Sequence, residues 1–209
     1  MLPTYIPNEY WLKRGKVYKE QFKYNKKFQL QENMLIDYLK TALESFDTVL
    51  ELGCGFGRIS RLMLSKFPDI KEYVAVDLSP DQIENAKQYT KLSNDSAILK
   101  FIVSDIQSLD IDKKYDLVIS CEVLLHILPS EIGSVIKKMV NMSNKHIVNI
   151  DWFEEVIPKK VAPHNFIHQY QTLYKSTSLA KQVSRVPIVS KGLLFKFDTK
   201  QSIFHALKE

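Results

Sequence analysis

Gly53, Gly55 and Gly57 follow an apolar run in VLELGCGFGRIS (residues 49–60), and they are half of the 6 glycines in 209 residues. Without a Cβ, glycine takes positive φ freely and lets another group lie against bare main chain. A helix pattern opening near Arg58 adds backbone N–H groups with no partner in the helix, which suit a polar or negative ligand. The spacing is neither of two familiar phosphate loops. A GxGxxG fingerprint would need glycine where Arg58 stands, and no GK[ST] ends the loop. A second pair of reactive types is His164 and His168 in APHNFIHQY. On a helix, residues four apart share a face and could bind a substrate or a metal; alternatively, one packs internally while the other meets water.

The glycines have to be positioned by the elements around them. Five apolar runs rich in β-branched residues are DTVLELG (47–53), EYVAVDLS (72–79), LKFIVSD (99–105), YDLVISCEV (115–123) and KHIVNIDWF (145–153). Between them, GRISRLMLSKF, SPDQIENAKQYTKL and PSEIGSVIKKMVNMS repeat apolar residues at helical spacing. Ser79 before Pro80 reads as an N-cap with proline at the first helical position, and Pro129 with Ser130 reads as a similar start. Strands apolar on both faces, separated by helices, imply a parallel sheet covered on both sides, in a doubly wound α/β fold. The C-terminal runs AKQVSRVPIVS, LLFKF and SIFHAL have no helix between them, which predicts antiparallel pairing at the sheet edge. The first 45 residues read as one or two helices.

Composition narrows the class. The hydrophobic fraction of 45% supports a real core, and 25% charged residues is ordinary for a globular chain. MLPTYIPNEYW has no basic stretch leading into an apolar run, so no secretory signal is read, and no window is apolar enough to span a membrane. Cys54 and Cys121 form neither a CxxC pair nor a disulfide framework, which points to a reducing, cytoplasmic setting. The net charge of +5 resides on the flanks: residues 46–150 carry 12 basic and 14 acidic side chains. Lysine predominates, which favours a solvated surface over a nucleic-acid face.

The E-x-G-x-G-x-G pattern from Glu51 to Gly57, at the end of a first strand, resembles motif I of the class I S-adenosylmethionine-dependent methyltransferases. Further matches follow in order. VAVDLS is similar to the family's second strand, whose terminal acid, here Asp77 followed by Leu78, binds the ribose hydroxyls. A carboxylate suits that task because it accepts two hydrogen bonds and donates none. VSDIQSL resembles the third, with Asp105 facing the adenine amino group and Ile106 flanking the purine. YDLVISCEVLLHI resembles motif IV, with Ser120, Cys121 and Glu122 bordering the methionine portion. EVLLHI is similar to the small-molecule branch, which often has a histidine where His126 stands.

This resemblance implies a seven-stranded, mostly parallel sheet with an antiparallel C-terminal edge strand. It implies S-adenosyl-L-methionine as cofactor and S-adenosyl-L-homocysteine as product, held by Glu51, Gly53, Cys54, Gly55, Gly57, Asp77, Leu78, Asp105, Ile106, Ser120, Cys121 and Glu122. The implied organisation is a helical lid over residues 1–45, a cofactor core over 46–153, and a substrate-side segment with the last strands over 154–209. Aromatic YWLKRGKVY resembles the lid of some small-molecule enzymes, where rings close over the cofactor. In-line transfer from a sulfonium relies mainly on alignment and exclusion of water. No metal is required, and a general base is needed only for a protic acceptor. Candidates for that base are His126, His164, His168 and Tyr18, with Glu122 assigned to the cofactor pocket. The expected acceptor is a small molecule, on a monomer or homodimer with no membrane partner. A protein or RNA substrate is the rival, weakened by the absence of a [DN]PPY tetrapeptide where SCEV stands. A non-catalytic cofactor binder of the same fold is a third reading.

Overall fold

The computed structural model describes residues 5–91, 96–156, 161–190 and 198–208. Two helices, α1 (Pro7–Gln21) and α2 (Lys26–Ala42), precede β1 (Thr48–Leu52). Strands and helices then alternate: α3 (Arg58–Lys66), β2 (Glu72–Asp77), α4 (Pro80–Thr90), β3 (Ile98–Val103), β4 (Tyr115–Cys121), α5 (Ile132–Met142) and β5 (Ser143–Trp152). A short 3-10 turn, Leu124–His126, follows β4, and α6 (Tyr170–Ser176), β6 (Ala180–Val189) and β7 (Asp198–Lys208) complete the order. Among the described residues, no helix is long and apolar enough to cross a membrane.

One seven-stranded sheet runs in the order β3-β2-β1-β4-β5-β7-β6. β1 pairs in parallel with both β2 and β4, so the strand order reverses beside it. That reversal opens a crevice beyond the carboxyl ends of β1 and β4, the place where open α/β sheets bind ligands. Successive side chains of a strand take opposite faces. Leu50, Leu52, Val74, Val76 and Val118 therefore pack with α5 and α6, through residues such as Ile136, Met139 and Tyr174. Val49, Tyr73, Ala75, Leu117 and Ile119 pack on the other face with Leu35 and Leu39 of α2, Met63 of α3 and Ile83 of α4.

The expected antiparallel pairing at the C-terminal edge of the sheet is present. β7 is antiparallel to both β5 and β6, and β6 forms the edge outside it. Residues 198–208 interpose because seven inner positions pair directly along β5, from His146↔Leu207 to Trp152↔Gln201. The LLFKF run lies outside the described residues. Ser79 caps α4 by accepting from the Gln82 N–H, as its position predicts. Pro129 and Ser130 do not start α5: the helix begins at Ile132 with Glu131 before it and no side-chain cap, because the proline sits in the preceding turn.

Candidate functional site

A cavity of about 380 Å³ opens at the carboxyl ends of β1, β2 and β4, with α1 along one side. The turn after β1 is fastened to β2: the Gly53 and Cys54 N–H groups donate to the Val76 carbonyl at 2.8 and 2.9 Å. All three glycines have positive φ, at 74°, 54° and 88°. Their surroundings differ. A Cβ on Gly53 would come within 2.4 Å of Val123 Cγ2, and one on Gly57 would press on Ala86 of α4 at 3.1 Å. At Gly55 a Cβ would meet only Gln82 Oε1, at 3.9 Å. Packing within the protein therefore explains Gly53 and Gly57, while Gly55 borders the open cavity.

Asp77, at the end of β2, organises this turn. One carboxylate oxygen accepts the Gly55 N–H at 2.8 Å and the other accepts the Ser79 N–H at 2.9 Å. Burial raises its pKa, and those two N–H groups oppose the rise. Each oxygen has a second lone pair for a ligand. Leu78, Asp105 and Ile106 also line the cavity, and Asp105 Oδ1 accepts the Ser108 N–H at 2.6 Å, tightening its own turn. Glu51 and Cys54 line its floor. Glu51 is already occupied, accepting from Ser60 Oγ and from Tyr73 Oη, the latter at 2.8 Å. Desolvation pushes its pKa up to about 7 against those two bonds.

Ser120 is a correction: it is fully buried within β4, between Leu52 and Asn149, and does not line the cavity. Period-two alternation explains this, since its neighbour Cys121 reaches the cavity instead. Glu122, next in sequence, has φ of 57°, an uncommon conformation for a residue with a side chain. Its carboxylate holds Lys27 of α2 at 2.7 Å and accepts from Gln201 of β7, with Arg58 at 3.9 Å. Arg58 also donates to Glu32 and Gln31 of α2, at 2.8 and 2.7 Å. Sequence reasoning missed Lys27, Gln31, Glu32, Arg58 and Gln201. Only Arg58, immediately after the third glycine, carried a local signal.

Aromatic rings form the other wall. Trp11 and Tyr18 of α1 line the cavity with His126 and His164. Trp11 packs on His126 with ring centroids 4.4 Å apart, and Tyr10 stacks on His164 at 4.9 Å. Tyr5 Oη donates to the His126 carbonyl and receives the Trp11 indole N–H. His164 and His168 do not share a helix face. His164 is in a turn and His168 in irregular chain, where its ring is buried with Nε2 bonded to the Ile127 carbonyl. His168 is therefore a packed residue outside the cavity, while His126 and His164 are brought together. Burial lowers the pKa of His126 to about 4, lowers that of His164 as well, and raises that of Tyr18. Among the described residues, no group of three or more His, Cys, Asp or Glu could hold a metal ion.

The sequence and the fold have known counterparts. Residues 49–146 match a family described as "Methyltransferase domain". The chain is 30% identical over 140 residues to malonyl-[acyl-carrier protein] O-methyltransferase of Acetivibrio thermocellus, covering 67% of this chain and 46% of that protein. It thus spans less than half the length of that relative. The N-methyltransferase NodS of Bradyrhizobium japonicum WM9, solved with S-adenosyl-L-homocysteine, superposes with a TM-score of 0.73 at 17% identity, over 97% of this chain and 99% of that one. Magnesium protoporphyrin IX methyltransferase of Synechocystis PCC 6803, solved with bound SAM, superposes at 0.69 and 15% identity over 100% of both chains. At such identities the two structures establish the fold.

Proposed function

Since the chain belongs to the class I S-adenosylmethionine-dependent methyltransferases, we propose that its cavity binds S-adenosyl-L-methionine and that it methylates a small-molecule acceptor. The observation that carries this reading is the pairing of Asp77 with an open Gly55: a buried carboxylate holds the bare turn and keeps lone pairs toward a cavity that no Cβ occupies. A ribose with vicinal hydroxyls would satisfy those lone pairs. Asp105 would accept from the adenine amino group beside Ile106, and Gly53, Cys54 and Gly57 would provide main chain along the nucleoside. Cys121 and Glu122 would border the methionine portion. Glu51 would act from beneath, holding β1, β2 and α3 together at the turn. The bound cofactor would supply a methyl group already activated on a sulfonium.

The chain's own task is then alignment and dryness. The segment 1–45 would act as a lid through α1, whose Gly15 sits directly on Ser79: a Cβ there would fall 2.3 Å from Ser79 Oγ. Gln82 of α4 also donates to the Gly15 carbonyl. These contacts bring Trp11 and Tyr18 to the cavity, so the rings exclude water from the reacting centre. The acceptor would enter between α1 and the 162–166 segment, where His126 and His164 lie. Calorimetric titration with S-adenosyl-L-homocysteine tests the core of the proposal. Binding that is lost in Asp77→Ala supports it, and a folded wild-type chain that takes up no ligand refutes it.

A further inference from the structure

We propose that Gln82 couples the seating of α1 to ligand binding: one amide ties its NH₂ to α1 and offers its oxygen to the nucleoside, so each event strengthens the other. This rests on the cofactor reading above and assigns that site a coupling residue. The amide has a fixed orientation. Its Nε2 donates to the Gly15 carbonyl of α1. A carbonyl oxygen only accepts, so the reverse orientation would set two oxygens against each other. Oε1 therefore points away from the Gly15 carbonyl. It is buried with no hydrogen-bond partner among the described residues, and Gln82 as a whole is only 4% exposed.

The surroundings of that oxygen indicate its donor. It lies 3.9 Å from where a Cβ on Gly55 would stand, and Gln82, Gly55 and Asp77 line the same cavity. A buried acceptor without a donor is costly, and a donor on the ligand removes that cost. Asp77 also offers only acceptors to the cavity, with Oδ2 already holding the Gly55 N–H at 2.8 Å. Bare Gly55 is thus flanked by two side chains that both need hydrogens from a ligand. A ribose hydroxyl on Asp77 would share its hydrogen with Gln82 Oε1 in a three-centre bond.

The seat of α1 is slight, so a single hydrogen bond matters to it. Of its 15 residues only Gly15 is buried, while Leu12 and Val17 remain exposed. Gly15 rests on the start of α4, where a Cβ would come within 2.7 Å of Ser79 Cβ. Lys19 adds a 3.4 Å hydrogen bond to Asn85 of α4. A helix of this length is marginal in water by itself, so α1 depends on these contacts and on the aromatic wall. When α1 lifts, Gln82 loses the acceptor that orients its amide, and Oε1 is no longer presented to the cavity. When a ligand donor occupies Oε1, the amide is held from its other end and its NH₂ stays aimed at Gly15. Linkage makes the two effects equal in free energy.

Hydrogen exchange of the α1 amides, read by mass spectrometry with and without saturating S-adenosyl-L-homocysteine, tests the coupling. The ligand should slow α1 exchange about tenfold or more in the wild-type chain, and Gln82→Leu should retain about a third of that factor or less. Calorimetry should show an affinity about tenfold lower in Gln82→Leu. Gly15→Ala displaces α1 through the clash with Ser79 yet favours its helix, and it should weaken binding too. In the double variant the two losses should combine to less than their product, because an amide already released from α1 has no orientation left to lose. Circular dichroism verifies that each variant folds, and Gln82→Met replaces Gln82→Leu if the latter does not. A wild-type chain that takes up no ligand overturns the cofactor reading and this proposal with it. Ligand binding that leaves α1 exchange unchanged, an unchanged affinity in Gln82→Leu, or losses that multiply in full overturn the coupling alone.

Discussion

Replacing Asp77 should separate a ligand-binding carboxylate from one that merely caps a turn. In Asp77→Ala, the Gly55 and Ser79 N–H groups lose their acceptors. Hydrogen bonds to a charged group contribute roughly 1.5–3 kcal/mol each. Water can enter the adjoining cavity and replace part of this, so stability should fall by about 1–3 kcal/mol and the fold should survive. Ligand binding loses more. Two ribose hydroxyls on the same carboxylate add two charge-assisted bonds, about 3–6 kcal/mol in total, and tenfold in affinity is about 1.4 kcal/mol. The dissociation constant for S-adenosyl-L-homocysteine should therefore rise by at least a hundredfold. Asp77→Asn should be nearly as harmful, because whichever way its amide turns, one NH₂ faces a backbone N–H. Calorimetry gives the affinity, and circular dichroism verifies that each variant is folded. A folded Asp77→Ala protein that binds within threefold of wild type would refute the ribose assignment.

Gly55→Val should abolish ligand binding in calorimetry, since its side chain projects into the cavity; some stability is lost too because φ is 54°. Gly53→Ala should instead lower the melting temperature through the clash with Val123, and Val123→Ala in the same chain should recover part of that loss. Stability should depend on pH through two buried acids, with Glu51 raised to about 7 and Asp151 to about 8, both by desolvation. Each holds its proton longer in the folded state, so stability falls as pH rises through the interval up to its folded pKa. His126 and His205, both lowered to about 4 by burial, act in the opposite sense below about 6.5 and roughly offset the acids there. Chemical denaturation should thus show a plateau at mildly acidic pH and a decline on the order of 1–2 kcal/mol from pH 6.5 to 8. Asp151→Asn should flatten most of that decline, and an equally steep decline in this variant would contradict the assignment.

Most of the sheet was legible because its signals are local. Each inner strand is a short apolar run of β-branched residues, and each crossover helix repeats its apolar positions within one segment. The placement of β7 inside β6 was not legible, because it depends on pairing with β5 about fifty residues earlier. The same distinction applies at the site. Gly53, Gly55, Gly57 and Asp77 stand where strands end, and they meet within one turn. The polar cluster at Glu122 joins Lys27, Arg58 and Gln201 from α2, α3 and β7, and no sequence spacing relates them. His168 failed for a related reason: four-residue spacing implies a shared face only on a helix, and the chain from 164 to 168 is not helical.

The three glycines show why one short motif can be read so far. They share positive φ, but each answers a different constraint: Gly53 the side chain of Val123, Gly57 the approach of α4, and Gly55 the cavity. The first two set how closely the turn packs to the rest of the sheet, and only the third concerns a ligand. Substitution at Gly53 or Gly57 should therefore damage folding and binding together, whereas substitution at Gly55 should damage chiefly binding. On the proposed reading, two members of the motif serve the fold, and the third, with Asp77, serves the ligand. A chain could keep the first two for packing alone, but it would have no packing reason to keep Gly55 bare beside a buried carboxylate with lone pairs to spare. On the proposed reading, a bound ligand would account for both, alongside the positive φ that itself favours glycine at this position.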